Sequence, residues 1–462
     1  MYNAYITRIK NLHKHPNADR LQIGECFGNA VIVSMEYEDN QLGVYFPSDG
    51  QVSVAFADAN NLLRKKDENG NNIGGYMDPD KRNVTAIKLR GEKSDGLFLP
   101  LKSLESFGDI TTLREGDIID NFNGHEICCK YIPRTNRRRG YVSDGNKTRK
   151  KRAPVAPLFS EHADTEQLAY NLGAFKGGDE IEITLKMHGT SQRTGYLPVL
   201  KGYKRTFWDK LLRREGKPIY DWGYVSGTRR TVLENFEGGY YGSNEFRETH
   251  SKFFEGKLNK GESVYYEVVG FTHTGAPIMA SCDNKKLQDK DFVKQYGQTT
   301  VFSYGCRPTG FQDNKFVNSV NEAEDHEVLQ PQSDIYVYRM TMTNEDGFVV
   351  EYSPDFMRYR CEQMGVKTVP VAWRGTIPSL NLAEQTHGDW VKTQAEYYYD
   401  GPDPIGKTHV REGVVVRIIN RPKFCAYKHK NWYFKALEGI VKVEAEAPDM
   451  EEAESLTEND TE

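Results

Sequence analysis

Short apolar runs of four or five residues recur along positions 2 to 130, separated by Asn, Gly and Asp turn residues. Ala30-Val-Ile-Val-Ser34 and Leu42-Gly-Val-Tyr-Phe46 are examples. This spacing predicts a small β barrel or sheet. From about 165 onward the pattern is mixed. Strand-like runs occupy 181–186, 263–269, 335–341, 347–351, 413–418 and 424–435, and 353–364 carries a helical pattern. Antiparallel sheet with accessory helices, an α+β class, is the expectation for this part. Between the two lies Arg134–Pro154, with Gly140, Asp144-Gly145 and no apolar periodicity, which reads as a linker.

Composition changes this picture little. A chain of 462 residues with 27% charged and 38% hydrophobic residues fits a globular protein of two domains plus short extras. No apolar run approaches the roughly 20 residues needed to span a bilayer, and the N-terminus has no signal-peptide core. The seven cysteines are scattered, without a Cys-x-x-Cys, so structural thiols in a reducing cytoplasm are expected. The net charge of -5 gives no overall sign of nucleic-acid binding, but the distribution does. Arg134–Arg152 holds nine Lys/Arg against one acid, whereas 443–462 holds nine Asp/Glu and no base. The basic run would add phosphate affinity; the acidic tail is expected to be disordered.

The chemistry concentrates on Lys186, in Ile181-Glu-Ile-Thr-Leu-Lys-Met-His-Gly-Thr-Ser191. Side chains alternate across a strand, so 182, 184 and 186 share the face opposite the apolar 181, 183 and 185. Gly189 allows the backbone to turn close to a ligand. An amine at a strand end beside such a turn is suited to attack phosphorus once it has lost its proton. Lys-x-x-Gly alone is a weak signal, a surface lysine before a turn, and it recurs at Lys88–Gly91 and Lys93–Gly96.

Lys186 is set apart by the residues downstream of it. Arg229-Arg230, Glu267, Tyr336 and Tyr338, Glu412-Gly-Val-Val-Val-Arg417 and Lys428-His-Lys430 come in order. Lys428 and Lys430 are two apart on an expected strand, so both ammonium groups face one way, able to hold triphosphate and to repel a proton from a neighbouring amine. Glu412 suits a divalent metal or a ribose, Glu267 a ribose hydroxyl, and Tyr338 a purine face. Each alone has a bland reading as a strand or surface residue; the order lifts the set.

The order Lys186-x-His188-Gly189, Glu267, Tyr338, Glu412-Gly-x-Val-x-Arg417, Lys428-x-Lys430 resembles the nucleotidyltransferase motifs of covalent polynucleotide ligases and mRNA capping enzymes. The Lys-x-His-Gly and Lys-x-Lys-Asn forms look most like nick-sealing RNA ligases of the "RNA ligase 2" type. The likeness covers about 175–435. It implies an ATP-grasp-like adenylyltransferase fold. It also implies ATP and Mg2+ (or Mn2+) as cofactors, and RNA 3′-OH to 5′-phosphate joining through lysyl-AMP. By resemblance Lys186 takes AMP, with His188 and Gly189 in the same nucleotide-binding motif. Arg230 (or Arg229) and Glu267 contact ribose, Tyr338 stacks on adenine, Glu412 serves the metal, and Arg417, Lys428 and Lys430 hold phosphates.

His15-Pro-Asn-Ala-Asp-Arg-Leu21 is similar to the opening of tRNA-binding OB modules, and Ile87-Lys-Leu-Arg-Gly with Asp95-Gly-Leu-Phe-Leu-Pro100 looks like the OB module that leads one RNA ligase branch. The expected organisation is therefore an OB-type module at 1–132, a basic linker at 133–164, the ligase domain at 165–440 and an acidic tail at 441–462. The expected protein is a monomer acting on RNA, with tRNA as one candidate. Leu185 and Ser191 depart from the family, which puts the metal surroundings in question. The rival readings are a DNA ligase, a capping-type enzyme, and a non-catalytic OB-type RNA binder. An insertion at about 197–222 brings Lys204, Arg205, Trp208 and Lys210, as RNA contacts or as a surface loop. Asp346–Val350 and Glu438–Lys442 imitate the Glu412 motif, but lack its closing base or the Lys-x-Lys after it.

Overall fold

The computed structural model describes residues 2–70, 72–133, 153–162, 165–212, 214, 216–233, 235–237, 241, 243–308, 311–312, 315–316 and 331–444. The basic run 134–152 and the acidic residues after 444 lie outside the described residues. The chain divides into two compact units. One combines the N-terminal segment with Cys282–Thr300 and the chain from Asn431; the second holds the rest.

The first unit consists largely of small antiparallel sheets. Leu97–Pro100, Leu42–Phe46, Ala4–Arg8 and Ile118–Ile119 form one in that order, and Lys10–Lys14, Leu21–Cys26 and Asn29–Ser34 form another. Ile6, Val44, Phe46, Phe56, Leu104 and Ile127 close a core between sheet and helical turns. Both Lys-x-x-Gly decoys lie in this unit, on the hairpin Ala86–Leu89 and Glu92–Asp95. Lys88 is tied to Asp289 at 2.7 Å, and Lys93 sits 4.0 Å above the Tyr433 ring.

The strand expected to run to 435 stops at Lys430. Asn431 Oδ1 accepts from the Tyr433 and Phe434 amides, and this cap starts the helix Trp432–Glu444. Residues 441–444, expected in the acidic tail, therefore end that helix, where Lys442 pairs with Asp49 at 2.6 Å. Glu438 is on the same helix, and Asp346 lies in the turn between two strands, so neither imitates Glu412 in space.

The second unit is built on two sheets. We label β1 Glu180–Leu185, β2 Thr190–Lys204, β3 Lys217–Gly227, β4 Glu262–Gly270, β5 Ser333–Thr343, α1 Pro354–Met364, β6 Val371–Thr376, β7 Gly413–Ile418 and β8 Cys425–Lys430. A five-stranded sheet runs Glu166–Gln167, β8, β7, β1, β6; a seven-stranded sheet centres on β3, β2, β4, β5. Ile181 and Ile183 of β1 with Val414, Val416 and Ile418 of β7 bury one face of the first sheet. Helix α1 matches the expected pattern. Ser353 Oγ caps the Phe356 amide, Pro354 stands in the first turn, and Gly365 in the left-handed region stops the helix. The end of the expected linker, 153–162, packs along β2 and β3: Leu200 N donates to Val155 O at 2.7 Å, and Ala156 and Phe159 cover Leu197, Val199 and Val225.

Candidate active site

The register of the five-stranded sheet builds the site. β1 pairs with β7 as Glu182–Arg417, Thr184–Val415 and Leu185–Val414, and the Lys186 amide donates to Gly413 O. β7 pairs with β8 as Arg417–Ala426, Val415–Lys428 and Gly413–Lys430. Directly opposed residues share a face, so three rows stand on the face away from the core: Glu182, Arg417 and Ala426; Thr184, Val415 and Lys428; Lys186, Gly413 and Lys430. Lys186 thus stands opposite the apolar trio, as strand alternation requires.

Above these rows opens a cleft, lined by Glu182, Thr184, Lys186, Val415, Arg417 and Ala426 from this sheet. Glu267, Tyr338, Arg229 and His162 close the other side, with Met357 and Arg358 of α1 and Phe424. At its Lys186 end, Lys186 Nζ lies 2.7 Å from Glu412 Oε1, and Lys430 Nζ lies 3.5 Å from the same oxygen. Glu412 is 2% exposed, and its Oε2 has no hydrogen-bond partner among the described residues. A buried carboxylate oxygen left so is costly unless a cation meets it. Glu412 therefore fits a hard divalent cation, which takes oxygen ligands.

The turn after Lys186 is held from two sides. The His188 amide donates to Tyr304 Oη at 2.6 Å, and the Gly189 amide donates to Glu267 Oε1 at 3.2 Å. Burial raises the Tyr304 hydroxyl well above its ordinary pKa, and the Asp403 and Glu412 carboxylates add to this, so it stays a neutral acceptor. The His188 ring stands edge-on to Phe302, with Nδ1 3.9 Å from Glu412 Oε2. Gly189 is needed for close approach: a Cβ there would lie 2.3 Å from Val268 O. Ser191, which departs from the family pattern, hydrogen-bonds through Oγ to Tyr338 Oη at 2.9 Å.

The far end of the cleft is densely charged. Arg358 holds both oxygens of buried Glu182 at 3.1 and 2.8 Å. Arg417 Nη2 donates to Tyr352 O, and its guanidinium lies 4.9 Å from the Phe424 ring. His162 accepts at Nδ1 from Arg339 and packs against Tyr338 at 5.0 Å. Burial, then the arginines 229, 339 and 193, holds this imidazole well below its ordinary pKa, so it is neutral.

Of the residues singled out by sequence, Lys186, His188, Gly189, Glu267, Tyr338, Glu412 and Lys430 come together. Lys428 stands on the cleft face one row away. Two are placed differently. Arg230 is exposed and outside the lining, and Arg229 reaches the cleft. Arg417 pairs with Glu182, four residues and roughly 13 Å along β1 from Lys186, so register sets it at the far end and away from the phosphate end expected for it. Tyr336 is buried beside Glu267 in the ladder, outside the lining. His162, Arg358 and Phe424 were not singled out by sequence. Nothing in their local sequence marks them, whereas Glu182 and Thr184 share the parity of Lys186 and could have been found from it.

No family model matches the chain, and no curated protein matches it. Solved structures do. An RNA ligase of Naegleria gruberi with pyrophosphate matches at TM-score 0.52 and 16% identity, covering 96% of this chain and 99% of that chain. Mutants of that ligase with ATP and Mn, and with AMP and Mn, each match at TM-score 0.51 and 15% identity, covering 94% of this chain and 99% of that chain. The chain has an RNA ligase fold. In that fold, the cleft of the second unit holds Lys186, and not Lys88 or Lys93, with a buried carboxylate and a second lysine beside it.

Proposed function

We propose that this protein is an ATP-dependent RNA ligase, joining RNA 3′-OH to 5′-phosphate ends and acting through a lysyl-AMP intermediate, with nicks in duplexes as the favoured substrate. The observation that carries this reading is the contact of Lys186 Nζ with Glu412 Oε1, at 2.7 Å, at the end of a cleft lined by Glu267, Tyr338 and Arg417. The first unit is read as the OB-type module, and the protein as a monomer of the cytoplasm.

The chemistry comes from the rows. The Lys186 ammonium first gives up its proton to solvent. The neutral amine then attacks the α-phosphorus of ATP: a P–N bond forms, the bond to the β-phosphate's bridging oxygen breaks, and pyrophosphate leaves. Lys430 and Lys428 stand where they can hold departing phosphate charge. Glu267 is assigned to a ribose hydroxyl, and Tyr338, hydrogen-bonded to Ser191, to the purine face. The AMP next passes to an RNA 5′-phosphate, and the RNA 3′-OH displaces it. A Mg2+ or Mn2+ ion held by Glu412 would supply charge neutralisation at the phosphoryl oxygens.

The test is self-labelling with ATP radiolabelled at the α-phosphate. Lys186→Ala is expected to abolish the label and Lys93→Ala to keep it; a labelled Lys186→Ala protein would sink the reading. Comparing ATP with GTP, and 3′-ribose with 3′-deoxyribose nicks, separates RNA joining from capping-type and DNA-ligase chemistry.

A further inference from the structure

β2 is 15 residues long, but only Thr190–Gly195 pairs with β4. Beyond Gly195 β3 is its strand partner, with a register shift at Leu200/Gly202, to Lys204–Lys217, and the segment from Ala153 packs along it. The result is a two-stranded arm that leaves the active-site sheet and turns through the short helix Phe207–Leu211. The arm is braced. Tyr196 stacks on Tyr224 at 4.6 Å, Lys260 lies 5.3 Å from the Trp222 ring, and Tyr203 Oη accepts from the Ala153 amide.

Its tip exposes four large apolar side chains within six residues. Phe207, Trp208, Leu211 and Leu212 are 74%, 66%, 62% and 54% exposed. Around them the segment 197–222 carries seven Lys/Arg and three Asp/Glu. Lys201, Lys204, Arg205, Arg214 and Lys217 are among the described cations. Asp209 is occupied with the turn, accepting from the Thr206 amide and hydroxyl. Aromatic faces interleaved with cations are what unpaired nucleic acid binds: bases stack on the rings and phosphates meet the charge. Charge complementarity selects RNA over an apolar partner.

We propose that the arm is an RNA-holding element that grips an unpaired stretch flanking the ligation point, with Phe207 and Trp208 as stacking surfaces and Lys204, Arg205 and Lys217 as phosphate contacts. This rests on the RNA-joining reading above. β2 starts just after the Lys186 turn, so its 14 steps set the reach at up to roughly 46 Å. The arm thus acts on RNA well outside the nucleotide cleft, and favours substrates with an unpaired flank long enough to span that reach.

The experiment uses the full chain and labelled RNAs carrying unpaired flanks of about 2 or about 20 nucleotides, one well short of the reach and one well beyond it. Phe207→Ser/Trp208→Ser should raise Kd for the long-flank RNA about tenfold or more and leave the short-flank Kd unchanged. Lys204→Ala/Lys217→Ala should lower the slope of log K against log salt by about 1.4, at ~0.7 per lost phosphate contact. Self-labelling with ATP reports folding and the first step separately. Its absence in the wild type would defeat the ligase reading, while the Kd comparison would still judge the arm. Three results would overturn the proposal: wild-type Kd for long-flank RNA in the Phe207/Trp208 variant, equal loss on both flanks, or a changed oligomeric state with RNA affinity intact, which would make the tip a protein contact.

Discussion

Replacing Gly189 by alanine tests the placement of the nucleophile's turn directly. A Cβ at this position would stand 2.3 Å from Val268 O, 2.9 Å from Glu267 Cγ and 2.9 Å from Val269 Cγ1. Ordinary contact begins near 3.4 Å, so about 1 Å must be recovered. The nearest atom is a backbone carbonyl inside the β2–β4 ladder, where Thr190 pairs with Val268, and it cannot swing aside. The displacement falls on the turn that carries Lys186 and on Glu267, which accepts from the Gly189 amide. Overpacking of this kind costs about 1–3 kcal/mol. A shift of ~1 Å at a reacting group costs on the order of 100-fold in rate. The assay is single-turnover self-labelling with α-labelled ATP, alongside urea unfolding. Gly189→Ala should label on the order of 100-fold more slowly, with a modest loss of stability. Gly173→Ala is the control: its Cβ meets nothing within 4 Å, and its effect should stay within about 0.5 kcal/mol. Labelling of Gly189→Ala within about threefold of wild type, against the loss expected for such a shift, would refute the placement.

Two further outcomes come from buried charge. Glu262 on β4 is 1% exposed and accepts from Arg360 of α1 twice at 2.8 Å, from Tyr352 Oη and from the Asn259 amide. Arg360→Ala strands that carboxylate and should cost about 3–5 kcal/mol in urea unfolding. Burial pushes the Glu262 pKa up, but the Arg360 hydrogen bonds win and leave it below the ordinary value. Its contribution is therefore present above the unfolded carboxylate pKa and lost as pH falls through the folded one; Arg360→Ala should flatten that part of the acid limb. His250, whose Nε2 meets Ser333 Oγ at 2.9 Å, is pushed down to about 4, by desolvation first, with Arg247 adding and Asp334 opposing. A base depressed in the folded state stabilises fully above the unfolded pKa of about 6.5 and loses that stabilisation as pH drops to about 4, up to roughly 3 kcal/mol here. Unfolding of wild type and His250→Gln at about pH 7 and about pH 4.5 should show the difference; equal pH dependence would contradict it.

The sequence carried the local geometry of the site. Period-two alternation placed Glu182, Thr184 and Lys186 on one face of β1, because a strand alternates whatever surrounds it. It likewise put Lys428 and Lys430 on one face of β8. Ordered spacing picked Lys186 over Lys88 and Lys93, and the α1 caps were legible as Ser353-Pro354 and Gly365. Register was not legible, since it depends on which residue of β7 lies opposite which of β1. That pairing set Arg417 beside Glu182, four residues along the cleft from Lys186. Nor could sequence see His162, Arg358 or Phe424 as cleft walls, because nothing in their local pattern marks them. The expected strand to 435 ended at Lys430 because the Asn431 side chain caps a helix more favourably than the ladder continues. The segment 197–222 read as an insertion of basic and aromatic residues; only the tertiary structure made it an arm. A strand that outruns β4 leaves the sheet with β3 as its strand partner, and among the described residues its tip stays exposed.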